Sequence, residues 1–244
     1  MTDSSSFLND TAPSGAFTAW MFAFRAAMAK VRTTIPVQVI AVHGGGLAPV
    51  GRVDVQPLIQ QTDSAGNVMA LPVLYGLPYL RWQGGASAVI LDPAVNDIGL
   101  VCFADRDVSA VIASGKQSAP GSNRRFSLAD GFYIGATLNA EPTQYLQFDP
   151  DNGITINSPK TITEQIGTDS DAARVVMNSD GIVMSFGGHS ITINADGIAI
   201  SGAVTGDDSA TFDGEVEGND VKLSTHTHSG VDSGSSNSGP PNSG

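Results

Sequence analysis

The chain has 244 residues, 28 of them glycine, and its charged fraction of 15% lies below the roughly 25% usual for soluble domains. Net charge is −12 and unevenly spread: through Arg125 there are 9 Lys and Arg against 8 Asp and Glu, and beyond it 3 against 16. An acidic second half repels phosphate and argues against nucleic-acid binding, one cysteine excludes a disulfide framework, and no run reaches the roughly 20 apolar residues of a spanning helix.

Residues 1–33 read as a polar lead followed by a helix. Met1-Thr2-Asp3-Ser4-Ser5-Ser6 is unlike the basic start of a secretory signal, so synthesis as a soluble cytoplasmic chain is expected. Phe17, Trp20, Met21, Phe24, Met28 and Val31 fall at helical spacing and form an aromatic stripe. That stripe packs either on the next domain or on a partner protein.

From 34 to 117 the pattern changes to short β-rich runs separated by turn residues. Expected strands are Val37–Val42, Gly51–Gln56, Met69–Leu74, Ser87–Leu91, Ile98–Ala104 and Ser109–Ala113. Five or six such strands in this length predict a small closed barrel of the oligonucleotide/oligosaccharide-binding (OB) type. Cys102 sits in an apolar run and reads as a core thiol. Residues 118–129, containing Ser-Ala-Pro-Gly-Ser-Asn-Arg-Arg, read as a linker.

A short signature recurs over 130–223. Asp151-Asn152-Gly153-Ile154-Thr155-Ile156 is echoed at Ser179–Met184 and Ala195–Ile200, and more loosely at Phe212–Val216. Each copy is a turn followed by an alternating strand, which predicts a β-solenoid or β-helix. The strands offer one apolar edge each, such as Ile154/Ile156, Ile182/Met184, Ile191/Ile193 and Ile198/Ile200. That is too little to offset the entropy of ordering one chain, so three chains around a shared interior are expected.

The last segment, 224–244, holds the sharpest chemistry. In Ser224-Thr225-His226-Thr227-His228, two histidines two apart on extended chain share a face. One pair is too few to close a metal site. Three copies around a threefold axis give six imidazole nitrogens, an octahedral set that suits iron or nickel better than tetrahedral zinc. By composition alone, the Ser/Gly/Asn/Pro run from Ser229 reads as a disordered tail.

Other residue groupings weigh less. His43-Gly44-Gly45-Gly46 lacks the Gly-x-Ser-x-Gly partner of an esterase and reads as a turn. His189, after Gly187-Gly188, reads as a turn or surface residue, with a ligand role as the lesser alternative. The pairs Asp149/Asp151, Asp169/Asp171 and Asp207/Asp208 read as solvated loop charges, with a calcium site at Asp149/Asp151 as the alternative.

His226-Thr227-His228 followed by Val231, Gly234 and Ser238-Gly239-Pro240-Pro241-Asn242 resembles the tip motif of the central baseplate spikes of contractile-tailed bacteriophages. The run Asn96–Asp107 is similar to that family's barrel segment, with Asn96 where glycine is common. The resemblance covers the whole chain. It implies an all-β homotrimer: a short N-terminal helix, an OB-fold-like barrel, an intertwined β-helix shaft, and an apex where His226 and His228 of three chains hold one iron ion. The Gly/Pro tail is then ordered around the metal, Thr225 and Thr227 face away from it, and these or Ser224 bond neighbouring backbone. Implied partners are a baseplate hub protein and, in transit, the host outer membrane, pierced without catalysis when the sheath contracts. A β-helical component that binds or degrades polysaccharide is the alternative, and a small metalloenzyme built on the histidine pair a third.

Overall fold

The computed structural model describes residues 15–63, 65–169, 171–230 and 234, apart from the side chain of Ala136. The chain divides into two compact units at Pro142/Thr143.

In the first unit, α1 (Ala16–Met28) is followed by β1 (Thr34–His43), β2 (Arg52–Pro57), β3 (Gln61–Thr62), β4 (Val68–Met69), β5 (Leu74–Pro78), β6 (Trp82–Gly84), β7 (Ser87–Val89), β8 (Ile98–Phe103), α2 (Ser109–Ser114) and β9 (Gly131–Ala136). Five strands form one sheet in the order β5-β2-β1-β8-β9. All its ladders are antiparallel, and its two edges meet through a parallel bridge, Tyr79 to Tyr133. The sheet is therefore curled into a half-barrel. Alternation puts Val37, Val39, Val53, Val55 and Val101 on the inner face, where Leu74, Leu77, Tyr79 and Tyr133 complete a buried core. Valine-rich strands suit this interior because branched side chains pack closely on a pleated surface.

Four expectations are corrected here. Ser109–Ala113 is helical rather than a strand: Asp107 accepts the Ser109 N–H at the start of α2, and Gly115 ends it in the left-handed conformation with φ +62°. Gly131–Ala136, expected at the start of the shaft, pairs along β8 instead. Its Tyr133 is needed in the core, and Asp130 just before it is buried. The preceding segment is also anchored. Arg124 donates from Nε and Nη2 to Asp130 at 2.7 and 2.9 Å and from Nη2 to Asp107 at 2.7 Å. Cys102 is half-buried, its sulfur 3.4 Å from the Thr34 hydroxyl, rather than deep in the core.

In the second unit, β10 (Tyr145–Asp149) and β11 (Gly153–Asn157) form a hairpin. Strands β12 (Ile162–Gln165), β13 (Arg174–Asn178), β14 (Gly181–Phe186), β15 (His189–Asn194) and β16 (Gly197–Ser201) form an antiparallel meander in chain order. A last hairpin joins β17 (Glu217–Gly218) to β18 (Val221–Lys222).

The repeated signature is the hairpin turn. Asp149, Asn178 and Asn194 end their strands and accept backbone N–H bonds from two residues on, at 2.8–2.9 Å. The signature glycine then opens the next strand. At Gly181 (φ +144°) a Cβ would collide with the Ile193 carbonyl oxygen, so no larger residue fits.

Register places Val175, Met177, Ile182, Met184, Phe186, Ile191, Ile193, Ile198 and Ile200 on one face of the meander. The other face carries Val176, Val183, Thr192 and Ala199 with serine and asparagine. No described residue of the second unit is buried. Phe186 is 69% exposed and Ile198 70%. Within one chain this sheet has an apolar face and no core beneath it.

Candidate metal centre

The hairpin β17–β18 positions the histidine pair. Its two-residue loop, Asn219-Asp220, has φ +50° and +64°, the double left-handed turn that fits the twist of antiparallel strands. Asn and Asp adopt this conformation at lower cost than other non-glycine residues. Beyond β18 the ladder continues for one bond, Leu223 N–H to the Val216 carbonyl at 2.8 Å. Ser224 then donates both its N–H (3.1 Å) and its hydroxyl to the Glu215 carboxylate. These bonds, the hydroxyl first, hold the Glu215 carboxyl below its ordinary range. Glu215 is the supporting residue that sequence reasoning missed; the expected role of Ser224 toward neighbouring backbone is taken instead by this carboxylate.

From that staple the chain turns, with His226 N–H donating to the Lys222 carbonyl at 3.1 Å. His226 Nδ1 lies 3.0 Å from the Leu223 carbonyl oxygen and 3.2 Å from that of Lys222. A carbonyl only accepts, so Nδ1 carries the proton and Nε2 presents its lone pair. This arrangement, one ring nitrogen bonded to backbone and the other free, is that of a metal-ligating imidazole. The His228 ring stands edge-on to it, with centroids 5.1 Å apart and planes at 81°. Both side chains are exposed.

The structure thus brings the two rings together, on turn and irregular backbone rather than on a strand. Among the described residues no group of three His, Cys, Asp or Glu could hold an ion within one chain. The donor set fits part of a transition-metal shell: two adjacent imidazoles, one with its tautomer fixed by backbone carbonyls.

A family model described as the phage protein Gp138 N-terminal domain matches residues 36–135, and one described as the GpV apex motif matches residues 220–242. The chain belongs to the phage baseplate spikes. The first match spans nearly all of the curled sheet, and the second runs from the turn residue Asp220 through β18 and the histidine pair, together half of the chain. This spike is a structural component of a virion tail, in an oligomeric assembly with other baseplate proteins. No curated protein matches the chain.

The remaining sequence candidates take other places in the spike. His43 Nε2 is 2.8 Å from Asp54, beside a glycine turn whose Gly45 and Gly46 have φ +132° and +64°. Asp149 accepts the N–H groups of Asn152 and Asp151, which in that order hold its carboxyl below the ordinary range; it caps a turn, and the pair Asp149/Asp151 forms no three-donor calcium cage among the described residues. The tail motif beyond Gly230 lies outside the described residues except for Gly234.

Proposed function

We propose that the protein is a membrane-piercing spike: a homotrimer whose shaft interior is assembled from the apolar faces of three chains and whose apex is closed by one iron ion. Sheath contraction drives it through the host outer membrane, the baseplate hub protein holds it from behind, and no catalysis is involved. The observation that carries this reading is the second unit's sheet, regular in its pairing yet without a buried residue. A sheet with a one-sided run of isoleucine, methionine and phenylalanine needs a cover, and three identical faces turned inward supply it. An intertwined closure also removes free sheet edges, which resists unravelling under axial load.

The first unit supports the same reading. Its strand order, with the parallel contact between β5 and β9, is that of an OB-fold barrel. At the apex, His226 and His228 of each chain would present six nitrogens in all, the octahedral set expected for iron. The bound ion would tie three chain ends together where no apolar core fits, adding directly to folding free energy. Glu215, Ser224 and the Leu223 carbonyl orient the ligands from within each chain.

The test is mass in solution with elemental analysis of the full chain. The expected result is a trimer with one iron per three chains; a well-folded monomer free of metal overturns the proposal. For piercing, virions carrying His226→Ala/His228→Ala should adsorb and contract yet release far less of a periplasmic reporter than wild type. Undiminished release would refute the role of the apex.

A further inference from the structure

The second unit holds one more histidine, exposed directly after a turn as expected, and the register adds which face of the sheet it occupies. Gly187 and Gly188, at φ +54° and +83°, form a two-residue turn that makes His189 the first residue of β15, paired directly with Phe186. Counting by twos, His189 lies on the same face as Ile191 and Ile193, which is the apolar one. With Phe186, Met184, Ile191 and Ile200 it lines an open groove of about 750 Å³ along that face. Glu164 and Arg174 are the only charged residues lining it.

The ring has a place made for it. A Cβ at Gly202 would sit 2.8 Å from His189 Nδ1, so the absence of a side chain there leaves the slot the imidazole occupies. Nδ1 is packed against the chain at Gly202, and Nε2 is the nitrogen left to point away from it. The His189 ring makes no hydrogen bond among the described residues, and in a single chain it is exposed, open to water.

Closing three such faces on one another removes that water. A desolvated imidazole without a partner is costly, and three of them in one apolar interior are costlier. We propose that His189 of three chains forms a second metal site inside the shaft, taking one divalent first-row transition ion through three Nε2 atoms, with water in its remaining positions. Borderline-soft nitrogen donors in a three-histidine set suit zinc, cobalt or nickel. Binding satisfies the imidazoles that assembly strips of water, and it locks the registry of the three chains at a level away from the apex. The site rests on the trimeric reading above, because one chain supplies a single ligand.

The test uses the full chain with its apex ligands removed, His226→Ala/His228→Ala, titrated with Co²⁺ and followed by visible absorption and by mass. The expected result is a trimer that binds one Co²⁺ per three chains, with that binding lost when His189→Asn is added and the mass unchanged. A trimer that binds no Co²⁺ overturns the inner site alone. A monomer overturns the trimeric reading and the inner site with it. Should removal of the apex ligands unfold the chain, the same comparison runs on the otherwise wild-type spike. Two ions per three chains are then expected, falling to one with His189→Asn, and equal metal content in the two overturns the site.

Discussion

Replacing Ile193 by aspartate tests the shared interior most directly. Ile193 sits mid-sheet on the apolar face, paired with Ile182 on one side and Ile198 on the other. The residues Ile182, Met184, Phe186, Ile191, Ile193, Ile198 and Ile200 together expose an area equal to about three and a half whole side chains in one chain. At about 1.5–3 kcal/mol for each large side chain fully buried, covering this face is worth roughly 5–10 kcal/mol per chain before ordering costs. Ile193, 42% exposed, accounts for about 1 kcal/mol of that. The larger effect is the carboxylate, whose removal from water costs several kcal/mol. In a lone chain it stays solvated and costs little, so the two cases separate. A net loss of about 3 kcal/mol per chain becomes about 9 kcal/mol over three, roughly six decades in the assembly constant. Light scattering on Ile193→Asp should therefore give the monomer mass at concentrations where wild type is a trimer. Ala199→Asp, on the opposite face between Ile198 and Ile200, should keep the wild-type mass. A trimeric Ile193→Asp with an unchanged melting temperature would refute the reasoning.

Three further outcomes are expected. On the proposed trimer, His226→Ala/His228→Ala should lose apex iron in elemental analysis while retaining the trimer mass, because the apolar sheet face and not the ion would hold the chains together; retained iron at the wild-type level counts against the apex ligands. Ser109, through its hydroxyl and its N–H, then Ser122 and Arg124, hold the Asp107 carboxyl down at about 2. Because the folded value lies below the unfolded one, its contribution is present above about pH 4 and lost as pH falls toward 2. Asp107→Asn should thus lower the melting temperature at pH 7 and narrow the gap to wild type at pH 2; an equal deficit at both pH values contradicts the assignment. Gly181→Ala places a Cβ against the Ile193 carbonyl oxygen at φ +144° and should cost more than about 1 kcal/mol in chemical denaturation, where a neutral result would show that the turn relaxes freely.

Much of this architecture is legible in the residues because strand periodicity is a local property. Val37–Val42 and Ile98–Ala104 alternate and appear as β1 and β8. Ser109–Ala113 misleads because valine and isoleucine suggest a strand, whereas the outcome depends on Asp107, which accepts the Ser109 N–H, and on Gly115 closing the turn. β9 is hidden for a different reason: Gly131–Ala136 joins a sheet whose other strands are distant in sequence, and only long-range pairing with β8 identifies it. At the apex the two histidines are readable from their spacing, but Glu215 is not. It lies 9 residues before Ser224 and reaches it only across the hairpin. The face that His189 occupies follows from its pairing with Phe186, a fact of register rather than of local spacing.

The meander has a consequence for how the virion is built. Each of its strands pairs with the one next to it in the chain, so the ladder can zip up by closing short loops, a fast and unimolecular process. Its greasy side, however, has no cover among the described residues of one chain, and in the proposed trimer it is quenched by sister copies at a rate set by their abundance. Newly made subunits therefore wait in an adhesive condition. Yield during infection should depend on prompt synthesis in bulk, or on an escort that shields the waiting surface until its two companions arrive.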